Sequence, residues 1–234
     1  MITLRAFYLA VCGTVMATWG CAIAGTSDTG CHYTPQQLQR WKAGLTRKLH
    51  VLDPSHAEIM SKVTAEIMDG QLAALKEDIH SGVSPNASLM VLKMAGPGGD
   101  MSLLELAVAA CQDKIARELV RLGASANGDE SSTPMVVAGA KGEAELAEFL
   151  IQHGALVDKV DLEGHTALED AVREHRVSAV SMLLKLGSDP NIPIAGGATV
   201  LDIVAHSSDP ADQNIAKELR AYGAISGPIG VGSQ

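Results

Sequence analysis

The chain has 234 residues, of which 47% are apolar and only 3% aromatic, and its formal net charge is −9. That length buries a sizeable core in one domain or two small ones, and the scarcity of aromatics favours closely packed helices of Ala, Leu, Val, Ile and Met over a barrel or sandwich. An acidic balance with no cluster of Lys and Arg excludes nucleic acid, because phosphate contact needs such a cluster.

Residues 1–24 read as a signal peptide. Arg5 precedes an apolar run from Ala6, and Ala22-Ile23-Ala24 supplies the small-x-small pattern of a cleavage site. The run is too short and too weakly flanked for a membrane span, so no stable span is expected after cleavage. The protein is then periplasmic or otherwise exported; the alternatives are an uncleaved anchor and a lipoprotein anchored at Cys21. Cleavage removes Cys12, Cys21 and Arg5 and takes the net charge from −9 to −10. Cys31, in the N-terminal segment 25–33, and Cys111 remain. In an oxidising compartment they are a candidate disulfide, with two buried free thiols as the alternative.

Residues 34–60 are expected to form N-terminal capping helices. Thr34-Pro-Gln-Gln37 carries capping signals, and Leu38, Trp41, Leu45 and Leu49 can lie against whatever follows.

From there the chain repeats. Segments beginning at Ser102, Thr133, Thr166 and Thr199 start 31, 33 and 33 residues apart, and Gly123, Gly154 and Gly187 each fall 21 residues after their starts. Gly223 falls 24 after its start, which places a three-residue insertion around Ser207 to Asp212. The same count back from Gly82 puts a degenerate copy at Ser61. A period in this range signals stacked supersecondary units. Each copy reads as two short helices: in the third, Leu168, Ala171 and Val172 recur at helical spacing, and Val180, Leu183 and Leu184 do so after a break. Ser102 with Glu105, and Thr166 with Glu169, are predicted capping boxes; Pro134 suits a first helical position; the glycines suit left-handed helix ends. Glu169 and Arg173 are predicted to pair on a solvated face. At the rear, Arg220 stands where Leu184 stands in the third copy, and residues 225–234 are predicted to be a disordered tail.

The pattern resembles the ankyrin repeat, approximately D-x-x-G-x-T-P-L-H-x-A-A followed by L-L-x-x-G-A-D-x-N. The third copy matches best, with Asp161, Gly164, Thr166 and Leu168 followed by Leu183, Leu184, Gly187, Asp189 and Asn191. Where that family has His, this chain has Glu105, Val136, Glu169 and Asp202. The resemblance covers residues 61–224 and implies an all-α ankyrin-repeat solenoid of about four to five helix-turn-helix units with an N-terminal capping helix. It further implies a bacterial exported protein, non-catalytic and monomeric alone, that binds a partner protein in a concave groove.

The residues that such a groove would expose are Met101, Asp129, Glu130, Ser132, Lys141, Leu162, Glu163, His165, Arg173, Glu174 and His206, with Ala109 and Ala198 in flanking copies. The connection 87–101 is about eight residues longer than its counterparts and carries Met90, Leu92 and Met94 as adaptable apolar anchors. The acidic Asp129, Glu130, Glu163 and Glu174 suit a partner with a basic patch. Exported ankyrin proteins of this kind include some associated with oxidative-stress defence and others that look like immunity partners neutralising a secreted toxin.

The sequence offers little catalytic chemistry. It contains no His-Glu-x-x-His pair, no Cys-x-x-Cys, no Gly-x-Ser-x-Gly elbow and no phosphate loop; Gly-Pro-Gly-Gly at 96–99 lacks the Lys-Ser/Thr that would hold phosphate. No cofactor or metal is expected. The rival reading is a metal-dependent enzyme using His165, Glu163 and neighbouring carboxylates, but equivalent residues of stacked helices stand about 10 Å apart, too far for easy ligand sharing.

Overall fold

The computed structural model describes residues 34, 36–43, 54–89, 101–129, 133–161 and 164–227. Helices make up nearly all of its regular structure, in agreement with the expected all-α class, and five successive helix pairs follow a short leading helix. The chain divides into two compact units, one ending at Pro134 and the other running from Met135.

In the first unit, helix α1 (36–43) opens with the expected cap. The Thr34 N–H donates to Gln37 Oε1 at 2.7 Å and the Gln37 N–H donates to Thr34 Oγ1 at 3.3 Å, so two otherwise open backbone donors are satisfied reciprocally. Helices α2 (Pro54–Met68) and α3 (Leu72–His80) form the first pair, and α4 (Leu103–Ala109) and α5 (Asp113–Arg121) the second. α1 is tied to the turn between α2 and α3, where Asp69 accepts from Gln39 Nε2 at 3.2 Å and pairs with Lys42.

The two helices of a pair do different jobs. α4 is buried throughout from Leu103 to Ala109, because it packs against both α2 and α5. α5 buries only Ile115, Ala116, Leu119 and Val120 and leaves Asp113 and Lys114 in solvent, the one-sided pattern of an outer helix. Between the pairs, strand β1 (Ser88–Leu89) runs antiparallel to β2 (Met101–Ser102) in the register Ser88↔Ser102 and Leu89↔Met101. The predicted open connection therefore starts as a hairpin, and only its interior, 90–100, lies outside the described residues.

The second unit contains α6 (Pro134–Lys141), α7 (Ala144–Gln152), α8 (Ala167–Arg173), α9 (Val177–Lys185), α10 (Val200–Val204) and α11 (Pro210–Ala221). A close helix approach falls at Gly139. A Cβ there would sit 2.8 Å from the Cβ of Ala167 and 3.1 Å from a Leu183 methyl, so only glycine lets α6 approach α8 and α9 this closely. Four of the five second helices are nine residues long, whereas α11 has twelve. The sequence insertion has become an extra turn at the start of α11.

Every second helix closes as predicted on a left-handed glycine, from Gly82 to Gly223. After Gly123, the Ala124 N–H reaches back to the Leu119 carbonyl at 2.8 Å while the Gly123 N–H reaches Val120 at 3.1 Å. This double return satisfies carbonyls that the helix end would leave open.

The turns between the two helices of a pair also need a left-handed residue. Gly70 and Gly142 supply it in two copies, but Cys111 (φ 62) and His175 (φ 57) supply it in two others. A side chain in that conformation costs about 1 kcal/mol or more.

The C-terminal end departs from expectation. Residues 225–227, expected to begin a disordered tail, are strapped onto the last copy. The Ile225 N–H donates to Asn191 Oδ1 at 2.9 Å, the Thr199 hydroxyl donates to the Ile225 carbonyl at 2.7 Å, and the Gly227 N–H donates to Asp202 at 2.9 Å. Asp202 also accepts the Thr199 N–H at 2.8 Å. These bonds hold the Asp202 carboxyl below its ordinary range, the Thr199 N–H contributing most.

Candidate partner-binding surface

Stacking consumes the inward faces of the helices, and the hairpin turns and helix ends are among the surfaces left for recognition. The best defined example precedes α8. The Asp161 N–H donates to the His165 carbonyl at 2.9 Å, the His165 N–H donates back to Asp161 Oδ1 at 2.9 Å, and the Gly164 N–H donates to the Asp161 carbonyl at 3.0 Å. Gly164 has a positive φ, 83°. The turn is thus closed by three bonds onto Asp161, and its tip is Leu162 and Glu163, which lie outside the described residues.

His165 sits between two carboxylates. Its Nδ1 is 3.9 Å from Asp161 Oδ2 and its Nε2 is 3.7 Å from Glu169 Oε1, beyond hydrogen-bond distance for both. Thr166 caps α8 by accepting the Glu169 N–H at 3.2 Å. The Glu169 carboxylate turns outward along the helix, where one oxygen receives Arg173 Nε at 2.8 Å and Nη2 at 2.6 Å. The expected solvated pair is instead half-buried, with the Glu169 side chain 1% exposed and that of Arg173 27%. Desolvation of Glu169 makes the Arg173 bond obligatory rather than incidental.

At the end of α8, Glu174 pairs with Arg176 Nε at 2.8 Å. His175 projects from the strained turn and bonds through Nδ1 to Asp212 Oδ1 at 2.5 Å. Asp212 lies in the extra turn of α11 and its side chain is 5% exposed. A hydrogen bond from Ser207, and then the bond and charge of His175, hold its carboxyl below the usual range against the opposing effect of burial.

The other predicted contact residues divide three ways. Asp129 and His206 are exposed, and His165, Arg173, Glu174 and Ala198 are half-buried. Met101 and Lys141 are corrections: they are only 5% and 7% exposed. Met101 belongs to the hairpin base, paired with Leu89, and not to an exposed tip. Lys141 ends α6 with its side chain drawn into the packing, and Ala109 is likewise buried. Met90, Leu92, Met94, Glu130, Ser132, Leu162, Glu163 and Cys31 lie outside the described residues. Cys111 is half-buried and disulfide-bonded, and the other three cysteines of the chain all lie outside the described residues.

The role of one set of residues escaped the sequence reading, which had Asn191 only as a letter of the repeat pattern. Four positions after the closing glycine, Asn86 accepts the Ser125 N–H at 2.8 Å and donates to the Gly123 carbonyl at 2.9 Å. Asn191 makes the same two bonds to Ile225 and Gly223. Asp158, at the equivalent place, takes the Asp189 N–H at 3.0 Å and the Ser188 hydroxyl at 2.5 Å. Each side chain fastens its own turn to the next. The signal was the recurrent polar residue at one register position, which by itself reads as an ordinary loop residue.

Elsewhere among the described residues, shifted carboxyls lie in ion pairs. Burial raises the Glu66 carboxyl, with nearby Asp78 adding to it, and Lys76 lowers Glu118. Among the described residues no three His, Cys, Asp or Glu side chains converge on a metal-sized site, and no helix is long and apolar enough to cross a membrane.

Residues 104–194 match the ankyrin-repeat family model in three copies. A stretch of 72 residues, 30% of the chain, is 38% identical to the glycerophosphocholine phosphodiesterase gde1 of Schizosaccharomyces pombe and spans 6% of that protein. A likeness of that extent carries no part of the larger protein's activity. Ankyrin repeats are typically non-catalytic modules that take protein partners.

Proposed function

Because residues 104–194 carry ankyrin repeats, we propose that this chain is a protein-binding module of the bacterial cell envelope, exported and non-catalytic. It grips one partner through its hairpin tips and first-helix ends, with the 87–101 loop as a second hold. The observation that carries this reading is the turn at 161–165, whose described residues Asp161, Gly164 and His165 are held together by three hydrogen bonds. Pre-ordering of this kind lowers the entropic cost of binding. Asp129 and Glu174 are acidic where they reach solvent, Glu130 and Glu163 neighbour such positions in the sequence, and the partner presents Lys and Arg to them. The disulfide at Cys111 supports export, since such bonds persist in oxidising compartments.

The test is in-cell crosslinking of the tagged chain, with the captured partner purified and its affinity measured. Glu163→Lys together with Asp129→Lys should weaken binding at least tenfold and reverse its salt dependence. Unchanged affinity would remove this surface from consideration.

A further inference from the structure

Two carboxyls meet between α2 and α3, and one cation serves both. Lys62 Nζ stands 2.6 Å from Asp78 Oδ1 across the helix pair and 3.7 Å from Glu66 Oε1 one turn along its own helix, the second distance too long for a hydrogen bond. The Glu66 side chain is 5% exposed and that of Asp78 14%. Glu66 Oε2 and Asp78 Oδ2 are both buried, and among the described residues neither has a donor. Two ionised carboxylates would leave one uncompensated charge and two orphaned oxygens in the interface, a costly arrangement.

A single proton removes both faults. Glu66 lies within hydrogen-bond reach of Asp78, so a proton on Glu66 turns it from a second acceptor into a donor, while Asp78 keeps the charge that Lys62 pairs with. Other ionisable groups on the neighbouring elements are already committed or lie in solvent. Lys76 of α3 pairs with Glu118 and Lys42 of α1 with Asp69; Arg40, Glu58, Glu77 and His80 are exposed; α4 contributes one such group, the buried Glu105.

We propose that Glu66 and Asp78 share a proton across the α2–α3 interface and that this proton locks the first helix pair, the lock opening as pH rises. Opening moves one proton from Glu66 to solvent and leaves two like charges facing each other over one ammonium. Burial, then the charge of Asp78, hold the Glu66 carboxyl above its ordinary value of 4.5, with Lys62 opposing them. The folded chain therefore binds this proton more tightly than the unfolded one. Its contribution is fully present below 4.5 and is lost as pH rises through the folded value. The device is independent of which partner the repeats bind.

The experiment follows the carboxyl carbon-13 resonance of Glu66 in the full chain from pH 3 to pH 9, assigned by its loss in Glu66→Gln. Amide exchange over residues 54–80 is measured for parent and variant at pH 5 and pH 8. Glu66 should titrate above the ordinary glutamate range, and Asp78→Asn, which gives Lys62 to Glu66 alone, should bring that titration down. Glu66→Gln is neutral at every pH, so it should exchange nearly as the parent does at pH 5 and about threefold or more slowly than the parent at pH 8. A Glu66 titration in the ordinary range overturns the proposal, as does one that Asp78→Asn leaves in place, or a ratio of exchange rates that is the same at both pH values. The titration of the parent decides the matter even if a variant fails to fold.

Discussion

Two neighbouring copies in the second unit close their turns in opposite ways. The pair α6 and α7 does so by shape: Gly139 lets the helices approach, Gly142 takes the left-handed turn, and Val136 replaces the acid found at that place in the next copy. The pair α8 and α9 does so by charge: Glu169 binds Arg173, Glu174 binds Arg176, and His175 reaches Asp212. One backbone thus tolerates two chemistries at the same register. The second costs desolvation and turn strain, and in exchange links α8 to α11.

The comparison can be broken at the charged copy first. Glu169→Ala should destabilise the protein by roughly 1–2 kcal/mol in urea denaturation, because the buried carboxylate's bonds to Arg173 are lost while the half-exposed guanidinium returns to water. The same change in reverse, Val136→Glu, tests whether α6 has room for the ionic solution; correct folding with no loss of stability would mean that shape was never the constraint there.

At the shape-closed copy, Gly139→Ala sets a gain of about 1 kcal/mol in helix propensity against a 2.8 Å clash. The clash wins, with a net loss of about 1–2 kcal/mol. A more stable Gly139→Ala protein by thermal melting would contradict the close approach.

The turn residue itself should give a smaller effect. His175→Gly loses the Asp212 bond but relieves the left-handed strain, so its net cost stays below about 1 kcal/mol. Asp212→Ala keeps the strain and loses the bond, and should cost more than His175→Gly. If the two rank the other way in urea denaturation, the turn at His175 holds no strain for glycine to relieve.

The smallest effect is with pH. The Asp212 carboxyl is lowered in the fold, so its contribution is fully present above the unfolded value near 3.9 and is lost as pH falls through the folded one. Asp212→Asn should therefore differ most from the parent at pH 5 to 7 and converge with it below about pH 4. Urea titrations at those pH values would show this.

Much of the fold is legible because glycine and hydroxyl residues are local signals. Gly123, Gly154, Gly187 and Gly223 mark helix ends whatever surrounds them, and Ser102 and Thr166 mark starts by bonding only three residues ahead. The surface was less legible because exposure is set by neighbours. Lys141 looks like a solvated helix end until the packing around α6 is known, and Met101 sits in a two-residue strand too short to show alternation. Asp212 reads as part of an insertion; only the fold brings it beside His175, 37 residues earlier. The turn at Asp161 and Gly164 was readable, since all of its bonds close within five residues.

The bridging side chains at Asn86, Asp158 and Asn191 have a consequence for how damage spreads. Each fastens a loop by bonds to the backbone of the loop that follows. A copy that opens locally withdraws acceptors and donors from its neighbour, so a fluctuation does not stop at the copy where it begins. Hydrogen exchange in two loops joined this way should therefore slow together when either is steadied.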